Sequence, residues 1–230
     1  LRLINSILDF RKIQNNQMQL RIQHADVAAL AEQTFGNFRK EAIDKHIEFR
    51  FENEMKDRMA WVDKEKLDTI IYNLLSNAFK FTPAGKSITL RTKETQDYII
   101  VEVSDTGIGI PQEKRSVLFQ RFASHNEINA SEEKTGTGIG LNLVKEMVDL
   151  QKGNIEVISE VGEGTTFSVQ LLRDKEHFGP DAITIVDDRQ AAEAEPQDRS
   201  ARERRAVGQE EPARSGRQHG HAHFPPQHSV

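Results

Sequence analysis

Cysteine is absent from the 230 residues, so the chain can form neither a disulfide bond nor a thiolate metal site. No apolar run approaches the roughly 18 residues that a membrane-spanning helix needs. The mean hydropathy of -0.61 predicts a soluble and rather polar chain. The net charge of -5 argues against a surface dedicated to nucleic acid. Because Leu1 is not a start residue, we expect the sequence to be a fragment of a longer protein.

The C-terminal segment, residues 189–230, lacks Lys, Leu, Ile, Asn, Thr and Tyr altogether. Such a composition cannot bury an apolar core, so we predict a disordered low-complexity tail. Its loss of lysine and gain of arginine fit a linker or an out-of-frame reading. Histidines in the tail offer metal binding as an alternative, but a loose histidine tract is usually an unstructured bystander.

Two asparagines stand four positions apart on a predicted helix, within the run NLLSNAFKFT at residues 73–82. Asn73 and Asn77 therefore share one face of that helix. Their amide oxygens can ligate Mg²⁺, which prefers oxygen ligands, without the desolvation cost of a carboxylate. Lys80, one turn further on, is placed to meet a phosphate as a point charge.

Three glycine-rich turns follow this helix in a fixed order. They read DTGIGI at 105–110, TGTGIGL at 135–141 and GEGTTF at 162–167. Glycine lets the backbone approach a ligand closely and permits positive φ. One such turn alone is commonly a plain turn, and an asparagine pair alone is commonly a solvated face. Together, in this order, they predict a Mg²⁺–nucleotide site.

Two other phosphate-binding motifs are excluded by their spacing. Gly85-Lys86-Ser87 resembles the end of a P-loop, but the first glycine of that motif would fall at Lys80. The run from Gly136 to Gly140 is G-x-G-x-G instead of the dinucleotide pattern G-x-G-x-x-G, and a polar stretch precedes it where a strand is required.

The spacing of apolar residues predicts helices and strands that alternate irregularly and end in a hairpin. Such a pattern favours an α/β (α+β) two-layer sandwich over a doubly wound sheet. The predicted helices are an amphipathic helix at 1–20, a long helix from the Asp26 cap to Lys45, the helix capped by Asp63 and a helix from Pro111 to Phe122. Residues 123–137 are predicted to form a mobile polar lid, and 154–159 with 165–172 the closing hairpin.

At these residues the chain resembles the catalytic and ATP-binding domain of bacterial sensor histidine kinases, within the GHKL ATPase superfamily. NLLSNAFKFT matches the N-box, DTGIGI the G1 box, LFQRF at 118–122 the F-box, TGTGIGL the G2 box and GEGTTF the G3 box. The five boxes occur in the family's order, and the resemblance covers about residues 1–175. It implies the Bergerat ATP-binding fold, a mixed sheet covered on one face by helices.

The resemblance implies ATP and Mg²⁺ as cofactors and gives each site residue a role. Asp105 accepts a hydrogen bond from the exocyclic amine of adenine, which selects adenine over guanine. Asn77 ligates Mg²⁺, Asn73 supports it and Lys80 meets phosphate, so these three form the catalytic set. Thr166 orders a water at the adenine. The remaining nucleotide contacts are Gly107, Gly109, Gly136, Gly138, Gly140 and Leu141.

The resemblance also implies a domain organisation. The expected segments are part of a dimerisation hairpin (1–20), the ATP-binding domain (21–175), a linker (176–188) and the tail (189–230). The hairpin's first helix, with the phosphoacceptor histidine, is missing. Ala182–Asp188 resembles the opening strand and acidic pair of a receiver domain, which suggests a hybrid two-component kinase as the parent.

The partners that follow are the phosphoacceptor hairpin of the same or a dimeric kinase and a response-regulator receiver domain, with no nucleic acid. We expect a cytoplasmic domain of an inner-membrane sensor that is a homodimer in its full length.

Three function classes stay open at this point. The first is the ATP-binding part of a protein histidine kinase. The second is an ATP-driven conformational machine like the gyrase B subunit, mismatch-repair and heat-shock chaperone relatives, which carry a general-base Glu where Asn73 stands. The third is a non-catalytic nucleotide-binding module. The KFT ending of the N-box and the dimerisation-like helix favour the first.

Overall fold

The computed structural model describes residues 18–120, 140–179 and 182–184, together with Leu8, Arg11, Lys12 and Asn15. All of them lie within Leu1–Val186, one of two units into which the chain divides. The predictions for the lid, for Phe122, Gly136 and Gly138, and for the tail lie outside the described residues. So does most of the predicted N-terminal helix.

The described part of the chain contains eight strands and five helices. The strands are Arg21–Asp26 (β1), Glu48–Asn53 (β2), Met59–Val62 (β3), Ser87–Glu94 (β4), Tyr98–Asp105 (β5), Asn154–Glu160 (β6), Gly164–Leu172 (β7) and Ile183–Thr184 (β8). The helices are Val27–Gly36 (α1), Arg39–Asp44 (α2), Lys64–Phe81 (α3), Gln112–Arg115 (α4) and Gly140–Leu150 (α5). None of these helices is both long enough and apolar enough to span a membrane.

The main sheet has five strands in the order β2-β4-β5-β7-β6. β2 runs parallel to β4, and every other neighbouring pair is antiparallel, so the sheet is mixed. Residues alternate between a buried and an open face, because successive side chains on a strand point to opposite sides. The buried face packs with α1, α3 and α5 into one apolar core. The predicted two-layer sandwich with a mixed sheet is confirmed.

A second, smaller sheet has the order β3-β1-β8. β1 pairs antiparallel with β3 and parallel with β8, where the Ile183 N–H donates to the Leu20 carbonyl at 2.8 Å. β8 falls within the segment 176–188 that was predicted to be a linker. The strand that follows the predicted dimerisation helix is therefore hydrogen-bonded to the strand that follows the ATP-binding segment.

Helix α3 begins at its predicted cap. The Asp63 carboxylate accepts the Lys66 N–H at 3.1 Å and the Arg21 N–H at 2.8 Å, and Asp63 is 2% exposed. Such a cap satisfies an N–H group that the first turn would otherwise leave unpaired. The helix packs into the core along one apolar stripe, which consists of Leu67, Ile70, Ile71, Leu74, Leu75 and Ala78. The opposite side of α3 is left for the asparagine pair.

Two predicted helices are wrong in extent. The single helix from Asp26 to Lys45 is divided into α1 and α2, because Gly36 ends the first and the next two N–H groups bond three residues back. Ile43, an apolar residue near the end of the predicted helix, is 75% exposed. The helix predicted from Pro111 to Phe122 is only the four-residue α4. It is followed by turns in which each N–H bonds to the carbonyl three residues back.

Candidate nucleotide-binding site

The predicted site begins on the half-buried side of α3, where Asn73, Asn77 and Lys80 are all partly exposed. The amide nitrogen of Asn73 donates to the Thr69 carbonyl one turn earlier, at 2.7 Å. That bond fixes the amide and turns its oxygen away from the helix backbone. The Lys80 ammonium lies 5.0 Å from the centre of the Phe81 ring, in the last turn of α3. One helix face thus presents two amides and a cation.

Asp105 stands at the end of β5 and opens the turn DTGIGI. Its Oδ1 accepts the Gly107 N–H at 2.8 Å, the local turn contact that an aspartate at such a position often makes. Burial raises the pKa of Asp105 to about 6, although the backbone N–H groups of Gly107 and Thr165 act in the opposite direction. The group is thus a carboxyl removed from water at the edge of the site, and it titrates near neutral pH.

The glycines of this turn are required by close backbone contacts. A Cβ on Gly107 would lie 2.4 Å from the Phe81 carbonyl oxygen, at the end of α3. Gly109 has φ +70°, and a Cβ there would lie 1.9 Å from the Glu160 carbonyl oxygen, at the end of β6. Any side chain at either position would displace the backbone. The turn is therefore wedged between the end of α3 and the β6–β7 hairpin.

A buried serine that no sequence motif indicated, Ser159, joins two of the glycine-rich turns by hydrogen bonds. The Ser159 hydroxyl donates to the Gly164 carbonyl at 2.9 Å and accepts the Ile110 N–H at 2.8 Å. It also lies 2.9 Å from the Thr165 hydroxyl. The Gly162 N–H adds a bond to the Ile108 carbonyl at 2.9 Å. The only sequence signal for this role of Ser159 is its inward strand position next to a glycine turn, because serine is common in strands and turns alike.

The structure places Thr166 on the wrong face of the sheet for its predicted role. Thr166 lies on the open face, where its hydroxyl is 2.9 Å from that of Ser104. Thr165 faces inward, is 6% exposed and pairs directly with Asp105 in the β5–β7 ladder. Because alternate strand residues point to opposite sides, a one-residue shift along the motif reverses the face. The threonine beside Asp105 is Thr165.

The third glycine-rich run approaches the asparagine helix. Gly140 begins α5 and Leu141 follows it, whereas Gly136 and Gly138 are outside the described residues. A Cβ on Gly140 would lie 3.0 Å from the Asn73 Oδ1, so a side chain there would crowd the amide. The first turn of α5 is thus adjacent to α3, and this brings together two motifs that are far apart in the sequence.

The apolar F-box residues that the structure describes, Leu118 and Phe119, pack against the core. Leu118 is 7% exposed, and the Phe119 ring meets the ring of Phe167 edge to face at 6.4 Å. The Phe119 carbonyl accepts the amide N–H of Asn142 at 2.8 Å. The Phe119 side chain therefore packs against the core of the domain.

The sequence of this region matches a known family model. Residues 62–175 match the family described as histidine kinase-, DNA gyrase B-, and HSP90-like ATPase. Residues 62–175 belong to this ATPase family. The resemblance seen in the sequence is confirmed.

Relatives of this chain include two sensor kinases. The chain is 37% identical over 74% of its length to the circadian input-output histidine kinase CikA of Synechococcus elongatus, and 40% identical over 74% of its length to the sensor histidine kinase TmoS of Ectopseudomonas mendocina. It spans only 23% and 18% of the lengths of these relatives.

Among solved structures, full-length ShkA in complex with AMPPNP superposes with a TM-score of 0.66 at 24% identity. The match covers 75% of this chain and 35% of that one, and at this identity it shows a shared fold.

Proposed function

We propose that this chain binds ATP and is the catalytic part of a two-component sensor histidine kinase. In that role it transfers the γ-phosphoryl group to a histidine on a dimerisation hairpin, from which the group passes to a receiver aspartate. The proposal is supported most by the contact between Gly140 and Asn73, since it joins the amide face of α3 to the start of α5. Its support also includes the kinase names of the relatives.

The adenine end of the nucleotide is proposed to lie at Asp105. A carboxylate oxygen there accepts the exocyclic amine, and this discriminates against guanine, which has a carbonyl at that position. We assign the accompanying water to Thr165, which shares the inward face with Asp105. We assign Gly107 and Gly109 to the stretch of the turn that passes close to the base, and their backbone lies against the ends of α3 and β6.

The phosphate end is proposed to lie between α3 and α5. Lys80 supplies a positive charge, and the N-terminus of α5, from Gly140 and Leu141, supplies N–H groups and the positive end of a helix dipole. Gly136 and Gly138 belong to the same proposed contact set. The charges of a nucleotide would thus lie across the gap that Asn73 and Gly140 border.

Neutral amide oxygens on α3 fit a Mg²⁺ site. Asn73 has its nitrogen bonded to Thr69, which leaves its oxygen directed away from its own helix. We assign Asn77 as the ligand and Asn73 as its support. When bound, Mg²⁺ neutralises charge on the phosphate oxygens.

The nature of residue 73 favours phosphoryl transfer over hydrolysis. Hydrolysis needs a base that takes a proton from water in line with the γ-phosphoryl group. Asn73 cannot take a proton at neutral pH, and the ATP-driven relatives carry Glu at this position. An imidazole needs little such help once it is oriented. In the proposed step the nitrogen–phosphorus bond forms as the bond from phosphorus to the ADP oxygen breaks.

The partners in this proposal belong to the whole protein. They are the phosphoacceptor hairpin of the same or a second kinase chain, a receiver domain, and a second copy of the full-length kinase. The parent is proposed to be an inner-membrane sensor of which this is a cytoplasmic part.

The test of the proposal combines phosphate release with phosphotransfer. We expect negligible steady release of phosphate from ATP by this chain, and an acid-labile phosphate on an acceptor hairpin of a relative supplied in trans. Asn77→Ala should abolish the transfer. Asn154→Ala, an exposed asparagine on β6, is the matched control and should not change it. Robust ATP turnover without any acceptor would instead favour the ATP-driven machine.

A further inference from the structure

Asn142 is a buried amide on a helix face that is otherwise apolar. It lies in the first turn of α5 and is 7% exposed. The other buried positions of this helix are Leu143, Val144, Met147 and Val148. Burying an amide is costly unless it is hydrogen-bonded, so its one strong contact needs an explanation.

The contact of Asn142 has a fixed direction. Its Nδ2 donates to the Phe119 carbonyl at 2.8 Å, and because a carbonyl only accepts, the nitrogen must face Phe119. Its Oδ1 is then buried, and no donor reaches it within the ranges that the structure describes. An unpaired buried acceptor lowers stability. The bond to Phe119 is therefore what the amide contributes at this position.

The acceptor of this bond is itself held by the core. Leu118 is 7% exposed, and the ring of Phe119 packs edge to face against Phe167, which is 5% exposed. The Phe119 carbonyl is thus an anchor on the sheet side of the core. Through it Asn142 attaches the first turn of α5 to the segment that packs on Phe167 of β7, while the helix as a whole packs against α3 and β6.

The other side of that first turn faces the asparagine helix. A Cβ on Gly140, two residues before Asn142, would lie 3.0 Å from the Asn73 Oδ1. We propose that Asn142 is a positioning residue that holds the first turn of α5 beside Asn73 through its bond to Phe119, and thereby sets the affinity for the phosphate end of a nucleotide. This inference rests on the proposed function, since it assigns the phosphates to this gap.

If Asn142 has this role, its loss should weaken binding of the phosphate end of a nucleotide and not of the adenine end. Loss of the bond releases the first turn of α5 and moves its N–H groups relative to Asn73 and Lys80. The Asp105 turn is held separately by Ser159 and by the end of α3, so the adenine contacts stay in place. ATP should then bind about tenfold more weakly, a change near 1.4 kcal/mol, while adenosine binds within about twofold of the wild type.

The experiment is calorimetry with ATP–Mg²⁺ and with adenosine on the full chain. Asn142→Leu keeps roughly the side-chain volume without the donor and adds no charge. Asn142→Ala removes both donor and volume. Asn154→Ala removes an exposed asparagine that bonds Glu156 on β6, and it serves as the matched control. We expect both Asn142 variants to lose ATP affinity selectively and the control to match the wild type.

The ratio of the two affinities separates positioning from loss of fold. A partly unfolded variant would lose ATP and adenosine by the same factor, and such a parallel loss would overturn the inference. So would an unchanged ATP affinity in Asn142→Leu while the wild type binds ATP normally. If the wild type binds neither ligand, the proposed function fails and takes the inference with it.

Discussion

Asp105 is a carboxyl whose surroundings oppose its charge. Burial raises its pKa to about 6 from an ordinary 3.8, in spite of backbone N–H groups from Gly107 and Thr165. The folded chain therefore holds a proton that the unfolded chain releases across this pH window. Stability is highest below the unfolded value and falls as the pH rises through about 6, so the ionised form is the costly one.

Asp105→Asn should remove this pH dependence. The amide keeps an oxygen for the Gly107 N–H but never ionises, so the variant should be more stable than the wild type at pH 7.5. We expect a difference of about 1 to 2 kcal/mol, reduced by the partial solvent access of the group. Urea unfolding at pH 5, 6 and 7.5 measures it. Parallel curves for the two proteins would show that Asp105 ionises without penalty.

The two adjacent threonines of the last glycine turn provide a matched pair. Thr165→Val should weaken adenosine binding by about 1 kcal/mol, because it removes an inward hydroxyl next to Asp105. Thr166→Val should leave binding unchanged, because its hydroxyl meets Ser104 on the open face. Calorimetry of both variants decides between them, and the reverse result would restore the assignment made from the sequence.

The placement of the proposed site residues was predictable where the motif fixes both spacing and face. Asn73 and Asn77 follow from helical periodicity, and Gly107 and Gly109 from the need for close backbone approach. The choice between Thr165 and Thr166 was not predictable, because two neighbouring threonines in a strand have the same chemistry but point to opposite faces. Asn142 was missed as well, because its partner is a backbone carbonyl 23 residues away that no side-chain pattern indicates.

Among the elements, those with a strong cap and a continuous apolar stripe were predicted well. α3 has both, and the β6–β7 hairpin has regular alternation around its glycine turn. The break between α1 and α2 was not predicted, because the apolar spacing continues across Gly36 and hides the glycine that ends the first helix. Tertiary contacts, and not local preference, determine where such a run divides.

Helix caps of different burial should differ in their contribution to stability. Asp63→Ala leaves the N–H groups of Lys66 and Arg21 without their acceptor inside the protein, so we expect a loss of about 2 to 4 kcal/mol. Asp26→Ala removes the bond to the Ala29 N–H at an exposed helix start and a partly exposed ion pair with Arg58, and together these should cost about 1 kcal/mol. Urea unfolding tests both variants. Equal losses would mean that the bond across to β1 contributes nothing.

At the scale of the whole molecule, β8 is the last element that the structure describes. A chain that ends at Val186 keeps the Ile183 N–H bond to Leu20, whereas a chain that ends at Gly179 loses it. We expect the first to unfold like the full chain, consistent with a dispensable tail, and the second to be less stable by about 1 kcal/mol. Thermal melting of the three chains checks this. Equal melting of both shortened chains would show that β8 adds no stability.

The parallel pairing of β1 with β8 also has a consequence for how the chain acquires its structure. The two strands are separated by about 160 residues, so their pairing closes one of the longest loops in the domain. During synthesis β1 leaves the ribosome first and has only β3 beside it until nearly all of the domain has followed. Local helices and hairpins can form in that interval, because their contacts are short-range. The edge of β1 is thus completed late, and until then it is an unpaired strand edge of the kind through which nascent chains misassociate.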